Sequence, residues 1–283
     1  MARKKRKKNR KKIAKRADKY RCYQLSVQEP DAEVPFFKRA YRDAYGKTHK
    51  PTVLREDFCG TFAVCCSWLK NSKQHRAIGV DLDPEPLEWG RQHNLPKVPA
   101  SRREHLTLYE DNVLKVQGEK ADVLAAQNFS FWIFKQRHLV LDYFAAAYAN
   151  LADRGVLVMD MMGGPELMEE DQVDRRDIEA EDSPYGKFEY RWEQASFDPI
   201  THDVLFHIHF KFKDGSKLKK AFTYDWRLWS IPEVRDMLHE VGFREVHVYW
   251  EGVDEDGEGN GVYRRRDTAE SDPCFIAYIV AAK

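Results

Sequence analysis

Residues 54–62 read LREDFCGTF and follow the short apolar lead Pro51-Thr52-Val53. Two acids, Glu56 and Asp57, precede a small Cys59, then Gly60 and Thr61, and a second apolar run begins at Phe62. The order is that of a buried strand that ends in a glycine corner and turns into a helix. A glycine at such a corner lets the backbone come close to a ligand, and the free N–H groups of the next helix face the same space. In an open parallel sheet, ligands bind outside the carboxyl ends of the strands. A pyrophosphate would call for a fuller glycine pattern and no acid in the corner. Glu56 and Asp57 would repel phosphate and favour a cationic ligand.

Outward from the corner, strand-like and helix-like segments alternate. The strand at 51–57 leads to a helix over about 62–70, then to RAIGVDL (76–82). A second helix opens at DPEPLEWGRQH, where Asp83 suits the N-cap and Pro84 the first helical position. HLTLYED (105–111), ADVLAAQNFS (121–130) and RGVLVMDMM (154–162) read as strands, and 136–151 has helical apolar spacing. This alternation predicts an α/β fold with a parallel sheet covered by helices on both faces. Residues 187–229 differ. Phe188, Tyr190 and Trp192 alternate with charged residues, and so do Phe206, Ile208, Phe210 and Phe212 against His207, His209 and Lys211. Leu218, Phe222, Tyr224 and Trp226 form a third apolar row, and Asp214-Gly215 marks a hairpin. The segment predicts an inserted three-stranded antiparallel meander. Ser230 and Glu233 then form a capping box, Gly242 closes that helix, and REVHVYWEG and CFIAYIVAA are two last strands joined by a long acidic, glycine-rich loop.

The chain has 283 residues and a formal charge of +1, but eleven of its 47 Lys and Arg lie in residues 1–16, which contain no acid. Removing those eleven leaves 36 basic against 46 acidic residues, a net charge of −10 on the body. The expectation is a disordered basic arm over 1–16 that suits a nucleic acid or an anionic surface, or serves as a solubilising extension. The start lacks the apolar core of a secretory signal, and no apolar run reaches membrane-spanning length. Five cysteines without metal-type spacing fit a reducing cytoplasm. His207-x-His209 lacks an evident third ligand, and the 254–261 loop lacks carboxylates where a calcium loop needs them, so no metal is expected.

An acid at the end of GVDLD can accept two hydrogen bonds from a ribose diol. With the acidic corner, this suggests a site for an adenosyl group attached to an amino-acid sulfonium. Residues 50–165 resemble the class I S-adenosylmethionine-dependent methyltransferases through VLREDFCGTF, GVDLDPEPLEWGR, LYEDNVL, ADVLAAQNFS and LADRGVLVMD. The resemblance implies a Rossmann-like seven-stranded sheet with its last strand antiparallel, over a domain of 17–283 with 187–229 as a lid or cap. It implies S-adenosylmethionine as cofactor. Cys59-Gly60-Thr61 aligns with the family's corner, which puts Glu56 near the methionine moiety, with Asp57 able to share that role, and leaves Phe58 and Phe62 where the family has glycines. Asp81 aligns with the ribose-binding acid, Leu82 with the apolar neighbour of adenine, and Asp111 or Asn112 with the adenine-amine contact. Asn128 and Phe129 fall beside the expected methyl group.

The acceptor is less legible. QNFSFWIF lacks the Pro-Pro-aromatic pattern of base amino-methylases, and the insert's layout resembles that of small-molecule N-methyltransferases of the glycine and sarcosine type. Tyr20, Tyr23, Trp226 and Asn128 are the candidate acceptor-side residues. The expectation is a methyltransferase acting on a small molecule. The alternatives are an RNA- or ribosome-directed enzyme that uses the basic arm, and a non-catalytic nucleoside-binding protein of the same fold.

Overall fold

A computed structural model describes residues 12–257 and 259–283. In chain order it runs α1 (Lys19–Ser26), α2 (Pro30–Tyr45), β1 (Val53–Asp57), α3 (Ala63–Asn71), β2 (Arg76–Asp81), α4 (Pro84–His93), β3 (Leu106–Glu110), β4 (Ala121–Ala126), α5 (Arg137–Asn150) and β5 (Leu151–Gly163). Then follow β6 (Gln172–Ile178), β7 (Phe188–Phe197), β8 (Asp203–Phe212), β9 (Lys217–Arg227), α6 (Ile231–Val241), β10 (Glu245–Val253), β11 (Gly259–Arg266) and β12 (Phe275–Ala282). The described residues divide into two compact units: 12–28, 170–196 and 205–225 form one, and 29–169, 197–204 and 226–283 the other.

The larger unit is an α/β Rossmann-like layer structure. Its sheet has the order β11-β10-β12-β5-β4-β1-β2-β3. Strands β1 to β5 pair in parallel, whereas β12 is antiparallel to both β5 and β10. The strand order reverses between β1 and β4, which puts the switch point at the end of β1. The strands are apolar because both faces are covered: Leu54, Val123, Ala125, Val156 and Val158 pack in one cluster with Phe36, Phe37 and Ala40 of α2 and Val64, Cys65 and Trp68 of α3. Each of the Val, Leu and Phe side chains contributes about 1.5–3 kcal/mol by leaving water. The expected helix signals are present. Asp83 accepts from the Glu85 N–H, the Ser230–Glu233 capping box forms, and Gly242 ends α6 at φ 116°.

The sheet carries one strand more than expected. Residues 259–266, read as part of a loop, form the edge strand β11, paired antiparallel to β10. The smaller unit also gains a strand. Its sheet has the order β6-β7-β8-β9, so the expected three-stranded meander over 187–229 is a four-stranded sheet that begins at Gln172. Both missed strands lie at sheet edges, and QVDRRDI and GNGVYRRR are exposed almost throughout, so neither shows an apolar alternation. The expected alternation of β8 is present, with Phe206, Ile208, Phe210 and Phe212 all buried. The hairpin turn places Gly215 at φ 77°.

The expected disordered arm needs a correction at its inner end. Residues 1–11 lie outside the described residues. Residues Ile13–Lys15 form a single 3-10 turn. Ile13 is buried in the cluster of Phe188, Phe210 and Phe212, and its N–H donates to Asp214 Oδ2 at 2.8 Å. One isoleucine in a basic run supplies the apolar burial that orders this turn. Among the described residues no helix is long and apolar enough to cross a membrane.

Candidate functional site

The corner after β1 keeps a glycine-like backbone although two of its positions are phenylalanine. Phe58, Gly60 and Phe62 all have positive φ, at 57°, 50° and 45°. Left-handed backbone disfavours residues with a Cβ, so packing must hold the two aromatic residues there. The Phe58 ring lies 5.5 Å from Tyr143 and 6.0 Å from Phe134. Phe62 is fully buried, and Gly90 of α4 makes room for it: a Cβ at Gly90 would come within 2.4 Å of the Phe62 ring. Gly60 itself faces open space, with nothing within 4 Å of where a Cβ would be. The corner therefore presents bare backbone to a ligand.

The end of β2 is tied directly to this corner. Asp81 Oδ2 accepts the Gly60 N–H at 2.6 Å, and Oδ1 accepts the Asp83 N–H at 2.9 Å. Each oxygen keeps a second lone pair for a diol. Burial raises the Asp81 pKa, and the amides of Asp83 and Gly60 oppose that rise. Leu82, the next residue, is 68% exposed, an apolar platform beside the acid. The turn after β3 adjoins: the Asp111 N–H donates to the Asp81 carbonyl at 3.1 Å. Asp111 Oδ1 accepts the Asn112 N–H at 2.7 Å, and Asn112 Oδ1 accepts the Leu114 N–H at 2.9 Å. The structure thus brings Cys59, Gly60, Asp81, Leu82, Asp111 and Asn112 to one edge.

The two acids of the corner separate. Glu56 is buried, and its Oε2 accepts the Cys65 N–H in the first turn of α3 at 3.0 Å. Burial pushes its carboxyl up to about 7, against the opposing hydrogen bond from Cys65. Asp57 does not share this position. Successive strand residues point to opposite faces, and Asp57 is paired with the fully buried Arg55, whose Nε donates at 2.7 Å. The remaining Arg55 donors reach the carbonyls of Val116 and Val113. Tyr143 also donates to Asp57, at 3.4 Å. Asp57 therefore pairs with a buried guanidinium, whereas Glu56 meets the first turn of α3.

At the end of β4, Asn128 and Phe129 are both left-handed at φ 57°. Asp160 of β5 holds them there, accepting the Asn128 N–H at 2.9 Å and the Phe129 N–H at 3.0 Å. Burial pushes Asp160 up to about 6, although both amides act to lower it. Sequence reading missed Asp160, and its signal was a lone acid inside the apolar run VLVMDMM. Trp226 is buried with its ring 6.3 Å from Phe129 and 6.0 Å from Trp132. Tyr20 and Tyr23 belong to the smaller unit, where their rings lie 5.9 and 4.9 Å from Phe222. His207 and His209 bond Thr223 and Glu193, and no metal-holding group of three or more ligands occurs among the described residues.

A switch-point corner, a diol-competent acid on the next strand and an antiparallel final strand define the fold of the class I S-adenosylmethionine-dependent methyltransferases. Solved structures agree over nearly the whole chain. DesVI of Streptomyces venezuelae matches with a TM-score of 0.66 at 16% identity, covering 94% of this chain and 97% of that one. The S-adenosylmethionine-bound amino pentose methyltransferase of Micromonospora echinaspora, involved in calicheamicin biosynthesis, matches at 0.64 and 16%, covering 93% and 95%. An S-adenosylmethionine-dependent methyltransferase from Clostridium acetobutylicum matches at 0.64 and 13%, covering 93% and 96%. Neither a protein-family model nor a curated protein matches the sequence.

Proposed function

We propose that the chain is an S-adenosylmethionine-dependent methyltransferase acting on a small molecule of the amino-sugar or glycopeptide kind. The observation that carries the cofactor is the 58–62 corner, where Gly60 leaves open space at its Cα while its N–H is held by the carboxylate of Asp81. Asp81 would take the ribose diol, Leu82 would lie against adenine, and Asp111 or Asn112 would meet its amino group. Glu56 gives the methionine end a negative environment suited to a sulfonium and an ammonium. When bound, the cofactor supplies an electrophilic methyl group, and the protein's part is to position the acceptor and manage its proton. The acceptor class is supported by the neighbours' chemistry: besides the amino pentose enzyme, a sugar N-methyltransferase of Streptoalloteichus and a glycopeptide N-methyltransferase share the fold, with TM-scores of 0.63 and 0.53.

Calorimetry with S-adenosylhomocysteine and with NAD tests the cofactor. Saturable binding of the first and none of the second is expected. NAD binding without S-adenosylhomocysteine binding would overturn the reading. Labelled methyl transfer from S-adenosylmethionine to a panel of amino sugars then tests the acceptor class.

A further inference from the structure

At the carboxyl edge of the sheet, three adjacent strands bring acceptor oxygens together. Glu56 follows Leu54 by two on β1, and Asp160 follows Val158 by two on β5, so both acids lie on the face that α2 covers. Strand β4 lies between them, and Gln127 stands one residue past its end. Gln127 is buried. Its Nε2 donates to the Val158 carbonyl at 3.2 Å, but its Oε1 has no donor. Helix α2 sets Phe36 and Phe37 on this face, and one turn earlier Glu33 has an Oε2 that is shut from solvent and also without a donor. The groups whose charges act on Glu33 are Glu56, Asp160 and Glu29, all acids. With burial as the larger cause, they push its carboxyl up to about 8. Tyr278, opposite Asp160 on β12, adds only a phenol.

Buried polar atoms are normally satisfied. Two undonated oxygens among acids match a cation that brings its own N–H donors. Carboxylate and amide oxygens also suit a hard metal ion, but no group of three or more His, Cys, Asp or Glu that could hold one occurs among the described residues.

We propose that Glu33 and Gln127, beside Glu56 and Asp160, receive a protonated amine, so that the methyl acceptor is an amine nitrogen whose proton passes to Glu33. The inference rests on the methyltransferase reading above. The nitrogen enters as an ammonium, which has no lone pair to attack with. Transfer of one proton to the Glu33 carboxylate frees that pair. The pair then forms the new N–C bond while the methyl's bond to sulfur breaks and its electrons stay on sulfur, leaving a neutral thioether. The nitrogen takes over the positive charge, and Glu33 keeps the proton until product leaves. A carboxyl held near neutrality is matched to this exchange.

A primary ammonium has two possible sources, the acceptor and the cofactor's own methionine moiety. Carboxyl NMR on the full chain labelled with 13C-glutamate separates them, with Glu33→Gln assigning the signal. In free protein the Glu33 carboxyl should titrate near pH 8. With saturating S-adenosylhomocysteine present, methylammonium chloride should lower that midpoint by at least about one pH unit, a tenfold preference of the cation for the carboxylate form. Tetramethylammonium, which has no N–H donors, should leave it unchanged. No response to methylammonium would overturn the proposal, and so would an equal response to tetramethylammonium. A shift already complete with S-adenosylhomocysteine alone would assign the pocket to the cofactor and overturn the acceptor role. A protein that binds no S-adenosylhomocysteine refutes the cofactor reading instead, and the methyl-transfer step falls with it.

Discussion

Phe58 and Phe62 allow a clean measurement of backbone conformation. Alanine and glycine variants at either position lose the same ring, so their difference reports the backbone. A non-glycine residue in the left-handed region costs about 1–2 kcal/mol, and both positions are left-handed, at φ 57° and 45°. Glycine gives back about 0.4–1 kcal/mol through its freer unfolded chain. The glycine variant should therefore exceed the alanine variant in stability by about 0.5–1 kcal/mol at each position. Relative to the parent, Phe62→Ala should lose about 3–5 kcal/mol, because the ring is fully buried over Gly90. Urea unfolding followed by far-UV circular dichroism measures this as a shift in midpoint at constant slope. Alanine variants as stable as the glycine variants, or more so, would refute the left-handed corner and with it the glycine-like presentation of the Gly60 amide.

Other expectations follow from neighbouring geometry. Asp81→Asn turns one amide-accepting oxygen into a donor that faces a backbone N–H, and removes a charge-assisted diol contact; S-adenosylhomocysteine affinity should fall by roughly 10- to 150-fold in calorimetry, from a loss of about 1.5–3 kcal/mol, and unchanged affinity would remove Asp81 from the site. Gly90→Ala, ordinarily favourable inside a helix, should destabilise by about 1–3 kcal/mol, since the new Cβ would come within 2.4 Å of the Phe62 ring and 2.5 Å of the Thr61 carbonyl oxygen; a raised melting temperature would contradict that packing. Glu33, Glu56 and Asp160 have folded pKa values raised to about 8, 7 and 6 from ordinary values of 4.5, 4.5 and 3.8. The folded state therefore holds more protons than the unfolded one in that window. The contribution of these acids to stability should be complete below about pH 4 and decline as pH rises through 6 to 8. Thermal melts of Glu33→Gln should show a weaker decline than those of the parent protein. Deletion of residues 1–11 should leave stability and cofactor affinity intact while abolishing any RNA affinity. If six to ten phosphate contacts form, that affinity in the full chain should fall about 10³- to 10⁵-fold between 50 and 200 mM salt.

What the sequence showed depended on burial. Strands β1, β2, β4, β5 and β12 are covered, and their apolar runs announced them. The edge strands β6 and β11 are exposed almost throughout and rich in charge, so scattered apolar residues such as Val173 and Tyr263 give no period to read. The corner residues were legible because short contiguous motifs carry them: Gly60, Asp81 and Leu82 lie at adjoining strand ends, as their spacing implied. The acidic side was not. Asp160 acts through the backbone of Asn128 and Phe129, 32 and 31 residues earlier in the chain, and Glu33 reaches the sheet edge only because α2 packs there. Glu56 and Asp57 look alike in a sequence, whereas a strand sends neighbours to opposite faces, so that Asp57 meets Arg55 and Glu56 the first turn of α3.

The aromatic corner has a thermodynamic consequence for ligand capture. A glycine loop samples many backbone states when empty, and a ligand must select one of them. Phe58 and Phe62 have far fewer states to sample: once their rings are wedged against Tyr143 and beneath Gly90, the loop between them is fixed whether or not anything is bound. The ordering cost is then met during folding and does not recur at each binding event. Such a corner trades conformational adaptability for readiness, and its affinity should depend weakly on temperature-driven loop fraying. Paired glycines there would remove this preorganisation as well as the packing of the two rings.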